Sequence, residues 1–205
     1  MIMILRDMRN TSGAKAMWDN LSNESILSML EKSYFLSEKR ILHSVRVMET
    51  ALKIGMSFTT DQEILEKIRI AALLHDCGKE LAKKMNLSET EHGYIGAILV
   101  EDDLDIEDLD ILRAISNHTT GDVFMGFIEK VIFLADMTEP MRMEYFADKI
   151  EAINKFLFEF KKIDIAVHLG LVFKIAETER KMKCVSPKSK LAEDYYLGKL
   201  PKPKG

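Results

Sequence analysis

Ala71–Lys79, AALLHDCGK, is an apolar helical turn that delivers His75 and Asp76 side by side and then breaks at Gly78. Upstream, Thr60 and Glu63 stand at capping-box spacing, and Ile64, Leu65, Ile68, Ala71, Ala72 and His75 follow at helical intervals. His75 therefore lies on the buried stripe of a helix. An unpaired polar group there costs on the order of 1–3 kcal/mol, so this ring needs a partner inside the fold. Neutral imidazole and carboxylate are ligands for borderline transition metals, and neighbours at a helix end can aim at one point. A His-Asp dipeptide alone is a short motif of low specificity, equally readable as a helix-end histidine beside a solvated aspartate. Its partners elsewhere in the chain decide.

Four of the five histidines, His43, His75, His92 and His118, fall in separate helical segments, and Asp136 follows in an apolar run. A short helix is expected after Asn23, with Ile26, Leu27 and Leu30 on one side. A second runs from Ser37 to Gly55 and carries His43 near its first turn. Ser88 and Glu91 form another capping box, opening a helix with His92, Ile95, Gly96 and Leu99 on one face. Residues 101–110, EDDLDIEDLD, read as a solvated connection and the first turn of the next helix; the EF-hand glycine is missing. Leu112 and Ile115 lead to a helix end at Asn117–Gly121. Gly126–Asp136 reads as a buried helix with Glu129 and Lys130 at least partly outward, and Pro140 forbids simple continuation. Two amphipathic helices at about 144–160 and 163–182 complete an all-α bundle, since no segment keeps a strand period.

With 205 residues, 47% of them hydrophobic, the chain supports one buried core: a domain over 23–185, a loosely ordered lead-in at 1–22 and a C-terminal tail at 186–205. The 29 basic and 33 acidic residues are interleaved, which argues against a nucleic-acid surface but leaves room for a small anion. Two distant cysteines, Cys77 and Cys184, suit a reduced cytoplasmic protein, and MIMILRDMRN is too short an apolar run to span a membrane.

The order His, His-Asp, His, His, Asp resembles the HD metal-dependent phosphohydrolases from about Ser37 to Lys181, implying a single HD-domain helical bundle. RILHSV around His43, LLHDCGK around His75, EHGYIGA around His92 and ISNHTTGDVFMGFIEKVIFLADMTEPMR around His118 and Asp136 resemble the YqeK family. That resemblance implies an iron-containing hydrolase that splits diadenosine tetraphosphate symmetrically into two ADP through a metal-activated hydroxide. It implies metal ligands His43, His75, Asp76, His92, His118 and Asp136. With two ions, Asp76 bridges them; with one, His43, His75, Asp76 and Asp136 hold it, and His92 and His118 become phosphate contacts or acid catalysts. Asp76, Lys79, His92 and His118 are then the catalytic candidates. Manganese or zinc would suit the same donors. Two departures from the family pattern stand out: Asp122 where a basic residue often follows His-Thr-Thr-Gly, and Met137-Thr138 after Ala-Asp. Loss of a positive charge there could weaken or shift polyphosphate preference.

Lys79 as a point charge and Arg142 as a bidentate fork are candidates for binding polyphosphate, with solvated salt bridges as the plain alternative. Thr119 and Thr120 are candidates to contact phosphate or to position the His118 ring, and Asn117 could do either. His168 belongs to no motif and reads as a packed helical residue; Cys77 reads as a small apolar filler. Competing functions are another HD nucleotide phosphohydrolase, such as a nucleotidase or cyclic-nucleotide phosphodiesterase, and a non-catalytic nucleotide sensor. The pattern leaves the oligomeric state open, a homodimer included.

Overall fold

The computed structural model describes residues 21–181 and 183–200, and these are helical, with no strand among them. The elements are α1 (Asn23–Lys32), α2 (Glu38–Met56), α3 (Gln62–Leu74), α4 (Lys79–Lys84), α5 (His92–Leu104), α6 (Leu109–Asn117), α7 (Phe127–Thr138), α8 (Pro140–Asn154), a π-helical turn (Lys155–Glu159), α9 (Ile163–Arg180) and α10 (Pro187–Gly198).

The apolar pattern sets the position of each helix. In α7, Val131, Ile132, Phe133, Leu134 and Ala135 are consecutive and fully buried, as in a helix surrounded on all sides. Helices α2, α3, α6, α8 and α9 pack around it. The second half of α3, Ile70–Leu74, is likewise wholly buried, between α2, α6 and α7. The more strongly amphipathic α6 buries Ile111, Leu112, Ala114 and Ile115. Burial at about 25 cal/mol per Å² of apolar surface makes this many-sided core the dominant favourable contribution to folding.

Gly78 and Gly93 let three chain segments close on one point. A Cβ at Gly78 would stand 2.3 Å from the His92 carbonyl oxygen and 2.4 Å from the Gly96 nitrogen; one at Gly93 would stand 2.7 Å from the Ser116 oxygen. The turn after α3, the start of α5 and the end of α6 therefore touch backbone to backbone. These segments carry His75-Asp76, His92 and His118.

Several expectations are corrected. The segment 186–205, read as a tail, contains α10, started by Pro187 at its first turn and packed on α9 with Ala192 and Tyr196 fully buried. Its prolines hid it, because proline both interrupts a helix and begins one. Of the lead-in 1–22, residues 1–20 lie outside the described residues. Leu21 and Ser22 are held, the Leu21 oxygen accepting from Arg69 and the Ser22 side chain capping α1. Glu129 is buried rather than outward: it accepts from Asn117 Nδ2 at 2.6 Å and from the Gly126 nitrogen at 2.7 Å. The residue capping α3 is Asp61, one after Thr60. Glu101–Leu104 extend α5, which ends at Asp105 in the left-handed region (φ 53°), so the acidic run divides between two helices. The helix expected from about 144 already starts at Pro140 and kinks at Phe146.

Candidate metal centre

Each histidine of the motif sits at a helix end or on a helix facing the core. His75 ends α3, His118 ends α6, His92 begins α5, and His43 lies on α2, opposite Asp136 of α7. The C-terminal ends of α3 and α6 leave carbonyls without intrahelical partners, which the His75 and His118 rings take up, while His92 meets a carbonyl of the turn before α5. His75 Nδ1 lies 2.7 Å from the Ala72 oxygen, His118 Nδ1 2.7 Å from the Ile115 oxygen, and His92 Nδ1 2.5 Å from the Glu89 oxygen. A carbonyl only accepts, so each of these Nδ1 atoms carries the proton. In the neutral ring, each Nε2 then presents a lone pair inward.

Those lone pairs converge on Asp76. Its Oδ1 lies 3.2 Å from His92 Nε2, 3.4 Å from His118 Nε2 and 3.5 Å from His75 Nε2, while His92 Nε2 and His118 Nε2 are 3.0 Å apart. On the other side of His75, His43 Nε2 meets Asp136 Oδ1 at 3.1 Å. His43, His75 and Asp136 form one group of mutually close donors, and His75, Asp76 and His118 form another, with His75 common to both. The donor atoms of each group lie within 4.8 Å of one another.

Electron-rich atoms so close together repel unless a cation lies among them. His75 Nε2 and Asp76 Oδ1 are fully buried without a hydrogen-bond partner, and burying a polar atom unpaired is unfavourable. Burial pushes the His118 ring down to about 3 and lowers His75, so both stay neutral and able to ligate. Asp76 is held well below the usual carboxylate range: burial opposes its charge, and the Lys79 ammonium, donating to Oδ2, favours it. Asp136 is lowered likewise, with His43 and Lys174 outweighing its burial. Imidazole nitrogens with carboxylate oxygens fit a divalent transition metal. All six expected ligands are brought together.

The structure adds residues that the sequence reading did not single out. Glu139 is buried and accepts from His43 Nδ1 at 3.3 Å, Arg46 Nε at 2.8 Å and the Met141 nitrogen at 2.9 Å. These donors overcome its burial and bring it down to about 2. His43, although burial opposes its charge, is raised to about 9 by Asp136 and Glu139. Lys174 donates from α9 to the His118 oxygen at 2.9 Å and the Thr119 oxygen at 3.1 Å, and lies 3.5 Å from Asp136 Oδ2. Burial lowers its pKa despite Asp136.

Of the remaining candidates, Lys79 Nζ pairs with Asp76 Oδ2 at 2.7 Å, and Arg142 reaches Asp136 Oδ1 at 3.4 Å while staying partly exposed. Thr119 Oγ1 lies 2.9 Å from His118 Nε2 and 3.2 Å from His92 Nε2, so it is inside the cluster. Thr120 is not brought there: it is buried and donates to the Gly121 oxygen. Asn117 points away too, its amide engaged by Glu129 and Lys188. Asp122 pairs with Lys188 of α10 at 3.0 Å, so a lysine distant in sequence stands beside the acidic departure.

Residues 40–154, which include all six side chains expected to ligate, match the HD domain family. The chain is 36% identical over 136 residues (58% of this chain, 71% of the relative) to the symmetrical bis(5'-nucleosyl)-tetraphosphatase of Halalkalibacterium halodurans. It is 35% identical over 138 residues to the protein of the same name from Bacillus subtilis, covering 60% of this chain and 72% of that one. The chain belongs to the HD-domain family of symmetrical bis(5'-nucleosyl)-tetraphosphatases. A crystal structure from Clostridium acetobutylicum, described as a predicted HD superfamily hydrolase involved in NAD metabolism, superposes with a TM-score of 0.72 at 28% identity. The match covers 88% of this chain and 99% of that one. In this HD member, then, the helix-end histidines and the two aspartates lie within the family's matched region, and α9 and α10 extend beyond it.

Proposed function

We propose that this protein hydrolyses diadenosine tetraphosphate symmetrically, giving two ADP, with ferrous iron held by His43, His75, Asp76, His92, His118 and Asp136. The observation that carries the reading is the pair of buried, unpartnered donors, His75 Nε2 and Asp76 Oδ1, at the centre of an imidazole and carboxylate cluster open to a cationic groove. A metal bound there supplies Lewis acidity, lowering the pKa of water and neutralising phosphate oxygens. The protein's own part is to bind and orient the anionic chain. Arg40, Arg46, Lys79 and Arg142 line the groove beside His43 and Asp76, and these cations draw in a polyphosphate. Water attacks one of the two central phosphorus atoms, the bond from that phosphorus to the central bridging oxygen breaks, and the second ADP leaves on that oxygen. In this reading Arg142 and Lys79, which lie beside Asp136 and Asp76, offset the charge of the leaving oxygen, and the Thr119 hydroxyl donates to a phosphate oxygen. Cys77 and Cys184 are not joined in a disulfide, which suits action in the cytoplasm. Among the described residues no helix is long and apolar enough to cross a membrane.

A product assay tests this. Protein loaded anaerobically with ferrous iron, and separately with manganese, is given diadenosine tetraphosphate alongside Asp76→Asn. ADP as sole product, lost in the variant, is expected. ATP plus AMP would contradict the symmetrical split; absence of cleavage with metal retained would favour the nucleotide sensor or another nucleotide substrate.

A further inference from the structure

Two cavities adjoin the candidate metal cluster, and they differ in chemistry. The first, about 210 Å³, lies between α7, α8, α9 and the segment leading into α10; Thr119 and Asp136 are at its inner end. Phe146, Phe173, Met137 and Val185 give it apolar walls, the hydroxyls of Thr178 and Ser189 add hydrogen-bonding edges, and Lys174, Glu177 and Lys181 add charges of both signs. Phe146 and Phe173 meet edge to face with centroids 4.8 Å apart, so their orientation is set before anything enters. The second, about 580 Å³, reaches the cluster at His43 and Asp76 and is lined by Lys39, Arg40, Arg46 and Lys79. Its apolar members Met141 and Tyr145 are largely exposed. Arg142 and Phe146 line both, so the two cavities share a wall beside the cluster.

Resting on the proposed reaction, we infer that the two halves of the substrate are read unequally: one nucleoside is seated in the aromatic cavity walled by Val185–Ser189, and the other half is held in the cationic groove through its phosphates. An aromatic, partly closed cavity with a few hydroxyls is the chemistry that recognises a nucleobase. A groove of lysine and arginine recognises phosphate charge and has little with which to select a base. The central bridge of the tetraphosphate then lies at the cluster, between the two. The loop and the start of the C-terminal helix thus belong to the binding site and are not an appendage to it.

The test is titration of the metal-loaded protein with ADP and with pyrophosphate, for wild type and Val185→Trp. Val185 is half-buried and lines the cavity, and the larger tryptophan is introduced there to occupy it. ADP is expected to bind at least tenfold more weakly to the variant, with pyrophosphate affinity and metal content unchanged. Unchanged ADP affinity, or parallel loss of pyrophosphate, overturns the assignment of this cavity to the nucleoside. The second arm compares adenosine 5'-tetraphosphate, which lacks the second nucleoside and would give ADP plus pyrophosphate, with diadenosine tetraphosphate. A difference in kcat/KM of less than tenfold is expected, and a larger loss overturns the inequality. Should neither compound be cleaved, the proposed reaction fails alone; the same comparison is then read as displacement of a fluorescent ADP analogue by each compound.

Discussion

Replacing Gly78 by alanine adds a single methyl group, and the structure says where it goes. The new Cβ would stand 2.3 Å from the His92 oxygen and 2.4 Å from the Gly96 nitrogen, both backbone atoms of α5. The backbone of Gly78 is in the ordinary right-handed region (φ −77°), so the substitution creates no dihedral strain; the clash is the whole effect. Backbone cannot rotate out of the way as a side-chain tip can. To restore ordinary contact near 3.4 Å, the start of α5 must move by about 1 Å relative to the His75-Asp76 turn. Overpacking of this kind typically costs about 1–3 kcal/mol. For a chain of this size that corresponds to a fall in Tm of roughly 2–12 °C. The same movement carries His92 from its 3.2 Å separation from Asp76. A misplacement of about 1 Å near the reacting centre can lower rate about 10²-fold, so kcat/KM should drop by that order and metal affinity with it. Thermal unfolding, metal titration and turnover measured on Gly78→Ala check this. Gly198→Ala, whose Cβ would meet nothing within 4 Å, serves as the neutral control. A Gly78→Ala protein with wild-type Tm, metal stoichiometry and kcat/KM would refute the claim that close backbone approach at Gly78 sets the site.

Glu139→Gln removes the carboxylate that His43 Nδ1 donates to, and metal affinity should fall about 10–100-fold while the fold persists; competition with a chelating dye would show it. Asp76→Asn should abolish both stoichiometric metal and turnover, read by elemental analysis and product assay; full metal content in that variant would remove Asp76 from the ligand set. The metal-free protein should be most stable near pH 6.5. The His75 and His118 pKa values are lowered on folding, so their contribution is complete above the unfolded value of about 6.5. It is lost as pH falls, by about 1.4 kcal/mol per pH unit for each ring. His43 is raised to about 9, so its contribution is complete below about 6.5 and is lost as pH rises towards 9. Urea unfolding at several pH values, with and without metal, checks both limbs, and a metal-free stability flat from pH 5 to 9 would contradict them.

Most helices between residues 23 and 181 were legible because they bury an apolar stripe, as α6 does with Ile111, Leu112, Ala114 and Ile115, whereas the six-residue α4 is too short to show a period. What was not legible depended on partners far along the chain. Glu129 looks solvated beside Lys130, but it caps the start of α7 and takes the Asn117 amide, a contact that exists only once α6 and α7 are side by side. Helix α10 has little amphipathic character of its own. It is fixed by Ala192 and Tyr196 against α9 and by Lys188 on Asn117 and Asp122, none of which a local pattern records.

The same distinction runs through the metal centre. Histidines at helix ends are visible in a sequence because the helix boundary and the residue type are both local, and His75, His92 and His118 each complete their geometry with a carbonyl three residues back. His43 has no such neighbour. Its Nδ1 is oriented by Glu139, 96 residues later, so a role for Glu139 follows only from the packing of α2 against the start of α8. Lys174 did leave a trace: it lies seven residues after Val167 and four after Gly170, on the buried face of α9, where a lone lysine is out of place. That trace is ambiguous in sequence, because α9 buries residues over a wide arc and a lysine can snorkel from such an arc to solvent. Only the fold shows that Lys174 turns inward to hold the carbonyls of His118 and Thr119, which fixes the loop bearing His118 from the helix that also walls the cavity proposed for the nucleoside.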